Sequence, residues 1–158
     1  MLPENLQIAV LMGGPGSERE VSLASGRAVL KALAGAGIDV VEVDVTGEDF
    51  VIPETAGLAF NVIHGTFGED GQLQKLLEQR GIPYTGAGSA SSAVAFDKNL
   101  AKAKFVDAGV PTPASEIVDV SNGAKLPSIQ VPFVVKPPRE GSSVGVHIVK
   151  KATEAMPA

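Results

Sequence analysis

The sequence predicts an α/β fold: an open, mostly parallel sheet with flanking helices, a Rossmann-like arrangement, followed by the start of a second unit. Three observations carry this. Continuous apolar runs of strand length recur, the pattern of parallel strands buried on both faces. They alternate with stretches whose apolar residues step by three and four. Glycine-rich or polar segments follow the runs at their carboxyl ends, where open α/β sheets bind ligands.

The first run is Leu6–Met12 (LQIAVLM), ending in Gly-Gly-Pro-Gly-Ser. Ser17 followed three residues on by Glu20 has the form of a capping box, so a helix is expected to start there. Leu23, Gly26, Leu30 and Leu33 form one stripe on it. Gly26 on that stripe lets the helix lie close to a sheet, and Gly35 and Gly37 end it. Ile38–Val45 is the second strand, and GLAFNVIHG, residues 57–65, is the third, closing at His64. Leu73, Leu76 and Leu77 mark a helix that stops at Gly81, with Asp70 expected as its N-cap. Ile82–Gly88 (IPYTGAG) is expected to be a short fourth strand and turn. Ser89 can cap a small helix through Phe96, and Asp97 another over Lys98–Ala108, closed by Gly109 and Pro111.

From Asp97 the character changes to a helix, a proline-rich connection and a hairpin. A domain boundary is therefore expected near Phe96, giving units 1–96 and 97–158. At 44% hydrophobic the chain can bury a core, and at 4% aromatic that core is aliphatic. A net charge of -5 without basic runs argues against a nucleic-acid partner. With no cysteine, disulfides and thiolate metal sites are excluded, which suits a reducing cytoplasm. No apolar stretch approaches the ~20 residues of a membrane span. Acidic Glu4, rather than a basic region, precedes the first apolar run, so no signal peptide is expected.

Four segments carry candidate chemistry. In GGPGSERE, residues 13–20, a dinucleotide fingerprint would need glycine where Arg19 stands. Glu18, beside a strand's carboxyl end, is a candidate for a ligand ammonium; the ordinary alternative is a carboxylate that complements the helix dipole. His64 would face the same crevice, as a ligand-binding or merely hydrogen-bonded imidazole. Glu69 and Asp70 suggest a metal pair less than a helix start, and no metal site is expected. TGAGS, residues 85–89, is the third such segment.

The strongest local feature is VVKPPREGSSVGVHIVK, residues 134–150: strand, polar loop, returning strand. Gly141 and Gly145 would let the loop turn tightly. The N–H groups of Ser142, Ser143 and Val144 can converge on phosphate oxygens, with Lys136 adding a point charge. This is no Walker A loop, because the lysine precedes the glycines and a strand follows. An ordinary hairpin with a polar loop remains open.

Taken in order, IAVLMGGPGSEREVSLASG, HGTFGEDGQLQ, GIPYTGAGSASSAVAFDK and PFVVKPPREGSSVGV resemble the D-alanine–D-alanine ligase family of the ATP-grasp superfamily, its N-terminal portion. One departure is local: the family has Gly-Gly-x-Ser where this sequence has Gly13-Gly14-Pro15-Gly16-Ser17. The resemblance implies a pre-ATP-grasp domain over 1–96 and an incomplete ATP-grasp central domain over 97–158. It implies that Glu18, Val21 and His64 bind the first D-alanine, Glu18 at its ammonium and His64 near its carboxylate. It implies that Lys98, Lys136, Gly141, Ser142, Ser143 and Val144 contact ATP phosphates, and that Ser142 hydrogen-bonds towards Glu18. Mg²⁺ ligands are expected past Ala158, so the chain alone is expected not to turn over. A cytoplasmic homodimer with D-alanine as its small-molecule partner is implied. A non-catalytic ligand- or partner-binding module, or an ATP-grasp ligase with another second substrate, stays open.

Overall fold

The computed structural model describes residues 6–123 and 125–154. Two compact units make up the chain, Met1–Phe96 and Asp97–Ala158.

In the first unit, strand β1 (Gln7–Gly13) lies between β2 (Asp39–Val45) and β3 (Ala56–Asn61), all parallel. A central parallel strand has no wet face. Ile8, Val10 and Met12 accordingly pack on one side, against Leu23, and Ala9 and Leu11 on the other. Helix α1 (Arg19–Gly35) covers the Val10–Met12 face with Leu23, Leu30 and Leu33. The glycine on that stripe does what its position suggested: a Cβ at Gly26 would stand 2.6 Å from Met12 Cβ. Helix α2 (Gln72–Gln79) fills the opposite face with Leu73 and Leu77, both fully buried. Helix α3 (Ser89–Phe96) completes the unit.

Four details depart from the sequence reading. Ile82–Gly88 makes no strand; it contributes a single parallel bridge, Ala59 to Tyr84. Pro83 has no N–H for a ladder, and Gly86 turns the chain at φ 110°. The third strand ends at Asn61, so His64 belongs to the loop beyond it. Ser17 is not the cap of α1: Gly16–Glu18 turn first and Glu18 holds the N-cap position, without a side-chain capping bond. Gly71, at φ 91°, holds the cap position of α2, and Asp70 serves it from one residue earlier by accepting the Gln72 N–H at 3.1 Å.

Ser22 is the polar residue that locks this unit. Fully buried, its Oγ accepts the Gly13 N–H at 2.9 Å and donates to the Val62 carbonyl at 2.7 Å. One hydroxyl thus joins α1 to the carboxyl ends of two strands. Ser22→Ala strands a buried donor and a buried acceptor, and is expected to cost about 1–3 kcal/mol in urea denaturation.

Ser89 does not cap α3 either. Its N–H and Oγ both donate to the Glu78 carboxylate, at 2.9 and 2.6 Å, and Tyr84 Oη donates there at 2.6 Å. Ser89's two bonds, then Tyr84's, lower the Glu78 pKa from 4.5 to about 2. A carboxyl lowered by folding adds stability above its unfolded value and loses it as pH falls through the folded one. The Glu78 contribution is therefore whole above 4.5 and lost towards about 2. The melting-temperature gap between the parent and Glu78→Gln is expected to narrow steadily across that window.

In the second unit, helix α4 (Lys98–Asp107) starts at Asp97 as the sequence predicts, with Asp97 Oδ1 accepting from Asn99 and Leu100 N–H. Gly109 at φ 68° ends it. Strands β4 (Phe133–Val135) and β5 (His147–Val149) pair antiparallel, Val134 opposite Ile148. Val149 is buried, whereas Val134 and Ile148 on the alternate face are exposed.

Candidate functional site

Within the first unit, the candidate residues gather beyond the carboxyl ends of β1 and β3. Their geometry follows from the loop His64–Gly71, which is held from below by amides. Asn61 Nδ2 and Gln74 Nε2 both donate to the Gly68 carbonyl, at 2.8 and 2.7 Å. Asn61 Oδ1 also accepts the Ile63 N–H at 2.9 Å, and Asp70 Oδ2 accepts the Phe67 N–H at 3.0 Å. Phe67 is driven into the core at φ 77°, a left-handed conformation that a bulky residue adopts only when its surroundings hold it there. Nothing in the local sequence marks Asn61 or Gln74, since each acts through a backbone atom several residues away.

This loop brings His64 and Glu18 to one place. His64 Nε2 lies 3.2 Å from Ser25 Oγ on α1, and its Nδ1 lies 3.9 Å from Glu69 Oε1. Gly65, at φ 67°, follows directly, and a Cβ there would run into Glu18 Oε2. Glu18, Ser25, His64 and Glu69 therefore form one polar cluster at the carboxyl edge of the sheet. Glu69 faces His64 and Asp70 faces the helix start, so the two acids do not act as a pair. Val21 lies in the first turn of α1, 59% exposed.

Arg19 explains why the first glycine turn is not a dinucleotide cradle. Its guanidinium donates to Asp44 at 2.8 and 2.7 Å and to the Val45 carbonyl at 3.2 Å. This fork holds the Asp44 carboxyl below its ordinary value. It also crosses the face of Gly13, so the space over the turn is filled by protein.

In the second unit, Lys98 and the polar loop share one hydrogen-bonded frame. Lys98 Nζ donates to the Glu140 carbonyl at 2.6 Å and to the Pro138 carbonyl at 3.4 Å, and its backbone N–H donates to Pro138 at 2.9 Å. Arg139 Nε donates to Asp97 Oδ2 at 2.8 Å. Arg139 first, then the Leu100 and Asn99 N–H groups, hold the Asp97 carboxyl below its ordinary value against desolvation. The start of α4 thus anchors the stem of the loop at two points.

The tip differs from the expectation. Gly141 supplies no left-handed residue; Ser142 and Ser143 do, at φ 50° and 61°, before Gly145 at 67°. The Val144 N–H returns to the Gly141 carbonyl at 3.0 Å, closing a turn with two successive left-handed residues, so that N–H is already satisfied. Two non-glycine residues held this way store strain, a recurrent mark of ligand-gripping loops. Ser142, Ser143 and Lys136 are exposed. Ser142 and Ser143 thus stand at an exposed turn, and Lys136 directly follows β4. Among the described residues, no group of three or more His, Cys, Asp or Glu could hold a metal ion, and no helix is long and apolar enough to cross a membrane.

Comparison with known proteins bears on the same segments. The family model described as "D-ala D-ala ligase N-terminus" matches residues 51–87, which include the whole His64–Gly71 loop. A D-alanine–D-alanine ligase from Methylacidiphilum infernorum is 49% identical over 142 residues, 90% of this chain and 46% of that protein. One from Ruegeria pomeroyi is 46% identical over 155 residues, 97% of this chain and 51% of that protein. This chain matches the N-terminal half of D-alanine–D-alanine ligases. The crystal structure of the Helicobacter pylori D-alanine–D-alanine ligase superposes with a TM-score of 0.76 at 26% identity, covering 94% of this chain and 57% of that one. The chain thus spans about half the length of the ligases it matches. The parallel sheet with flanking helices is the fold it shares with them.

Proposed function

We propose that this chain forms the N-terminal part of an ATP-dependent ligase that joins two D-alanines for peptidoglycan precursor synthesis, in the cytoplasm and as a homodimer. The observation that carries the reading is the 49% identity to a D-alanine–D-alanine ligase across 90% of this chain. In this reading the segment 1–96 is the substrate-binding domain and 97–158 the opening of the ATP-grasp domain.

Glu18 holds the ammonium of the first D-alanine, a charge-assisted contact worth roughly 1.5–3 kcal/mol. His64 lies by its carboxylate, and Val21 lines the approach. Lys136, with Gly141, Ser142 and Ser143, grips ATP phosphates, and the Val144 N–H joins them only by giving up its bond to the Gly141 carbonyl. Lys98 has three N–H donors and two carbonyls take two of them, so its third is available to a phosphate oxygen. The γ-phosphoryl of ATP passes to a carboxylate oxygen of the first D-alanine, giving an acyl phosphate and ADP. The amine of the second D-alanine then attacks the acyl carbon. The C–O bond to phosphate breaks, and D-alanyl-D-alanine and phosphate leave. Phosphoryl transfer depends on positioning and charge neutralisation, and these residues supply both. A loop folded over the acyl phosphate keeps water from it, the role proposed for Ser142 and Ser143. Mg²⁺ is the metal of this reading, but the described residues offer it no ligand set, and no step here runs through it.

The test is phosphate release with ATP, Mg²⁺ and D-alanine, using this chain complemented by the C-terminal half of a D-alanine–D-alanine ligase. Release that requires D-alanine, and falls about 100-fold or more in Glu18→Ala, is expected. The chain by itself is expected to show none. A complemented pair that hydrolyses no ATP in response to D-alanine rules the reading out.

A further inference from the structure

His64 has groups of unlike chemistry near its two ring nitrogens, of which only one is within hydrogen-bond reach. Glu69 Oε1 stands 3.9 Å from Nδ1, and Ser25 Oγ stands 3.2 Å from Nε2. A carboxylate only accepts, so the proton of a neutral imidazole is favoured on the nitrogen that faces it. That leaves Nε2 as the acceptor, and a serine hydroxyl can rotate to donate to it. Ser25 is half-buried on α1, one helical turn after Ser22, whose two buried bonds fix the helix against the sheet. Its Oγ therefore meets the ring from a rigid platform. Glu69 lies on the His64–Gly71 loop and is exposed, so it is the weaker constraint on the ring.

We infer that Ser25 is the positioning residue of His64: its hydroxyl, donating to Nε2, fixes the ring's orientation and holds the neutral imidazole with its proton on Nδ1. The inference deepens the D-alanine reading, because that reading sets His64 beside the substrate carboxylate. In this tautomer the Ser25 proton is committed to Nε2, and the ring's own donor is Nδ1–H, which at 3.9 Å is not hydrogen-bonded to Glu69 and is what the ring can offer the substrate carboxylate. Ser25 then governs how the carboxylate is received without itself reacting.

The chain has two histidines, His64 and His147, so imidazole ¹⁵N spectra are simple to assign, with His147→Gln identifying the second. In alkaline buffer, where an ordinary imidazole is neutral, His64 is expected to show a protonated Nδ1 and an unprotonated Nε2. Ser25→Ala is expected to give a tautomer mixture, and Ser25→Thr, which keeps the hydroxyl, to restore the parent spectrum. A His64 spectrum unchanged in Ser25→Ala overturns the inference, as does a parent protein with the proton on Nε2. In the complemented ligase, Ser25→Ala is expected to raise KM for D-alanine about tenfold, the equivalent of one hydrogen bond, with a smaller change in kcat. Equal loss in kcat and none in KM counts against a positioning role. Absence of D-alanine-dependent turnover in the parent as well defeats the ligase reading alone, and the spectra then decide the role of Ser25.

Discussion

Gly68→Ala is expected to destabilise the chain by about 3 kcal/mol or more, the upper range for overpacking, because the added methyl has nowhere to go. It would run into the carbonyl oxygen of Ile63 and stand 2.6 Å from that carbonyl's carbon. These are backbone atoms, so no rotamer change relieves the clash. Opening the turn from Ile63 to Gly68 has its own consequence. The Gly68 carbonyl is where Asn61 and Gln74 both donate, and Gln74 is 95% buried. Moving that carbonyl leaves two amides short of a partner in a poorly hydrated place, at about 1–3 kcal/mol for each that is not re-satisfied. Urea denaturation measures the total. A variant within 1 kcal/mol of the parent would show that the turn deforms freely, contrary to the packing of Phe67 beneath it.

The same loop shows what a sequence can and cannot reveal. The apolar runs of β1 and β2, and the stripe of α1, are legible because burial on both faces of a strand, or along one stripe of a helix, imposes a local pattern. The fourth strand failed on chemistry that was visible: Pro83 lacks the ladder donor, and the apolar Ile82 and Tyr84 outweighed it. The cap assignments failed for another reason. Ser17 and Asp70 have the residue type for capping, but a tight turn ahead of each helix moved the cap position one residue on, to Glu18 and Gly71. Asp70 kept the capping bond and lost only the position.

Of the candidate site, Glu18 and His64 were legible because titratable residues at the carboxyl ends of strands are few. Ser25 was not, as a serine in a helix carries no mark of what lies across from it. The polar loop between β4 and β5 was legible as a loop, and its mechanics were not. Glycines were expected to supply the tight geometry; Gly145 does, at φ 67°, but Gly141 does not, and Ser142 and Ser143 take left-handed positions as well. Residue type indicates where strain is cheap, whereas a functional loop can place it where it is costly.

Gly65→Ala is expected to separate the site from the stability of the fold. Gly65 adopts φ 67°, where any other L-residue costs about 1–2 kcal/mol. Its added methyl would run into Glu18 Oε2, the far end of a flexible side chain, which can swing aside. Stability should therefore fall by the backbone strain and by whatever contact the displaced carboxylate gives up, well short of the Gly68→Ala loss. The carboxylate, however, is the group proposed to hold the D-alanine ammonium. Displacing it forfeits a charge-assisted contact of about 2–3 kcal/mol, so KM for D-alanine in the complemented ligase should rise roughly 30- to 150-fold. Paired with Glu18→Ala the two effects come apart. The strain persists in the double variant, but Gly65→Ala should change ligase kinetics little once Glu18 is gone, because both substitutions remove the same contact. If the kinetic losses instead add, the methyl acts on the site by another route, and the adjacent His64 ring, carried by the same turn, is the group to test next.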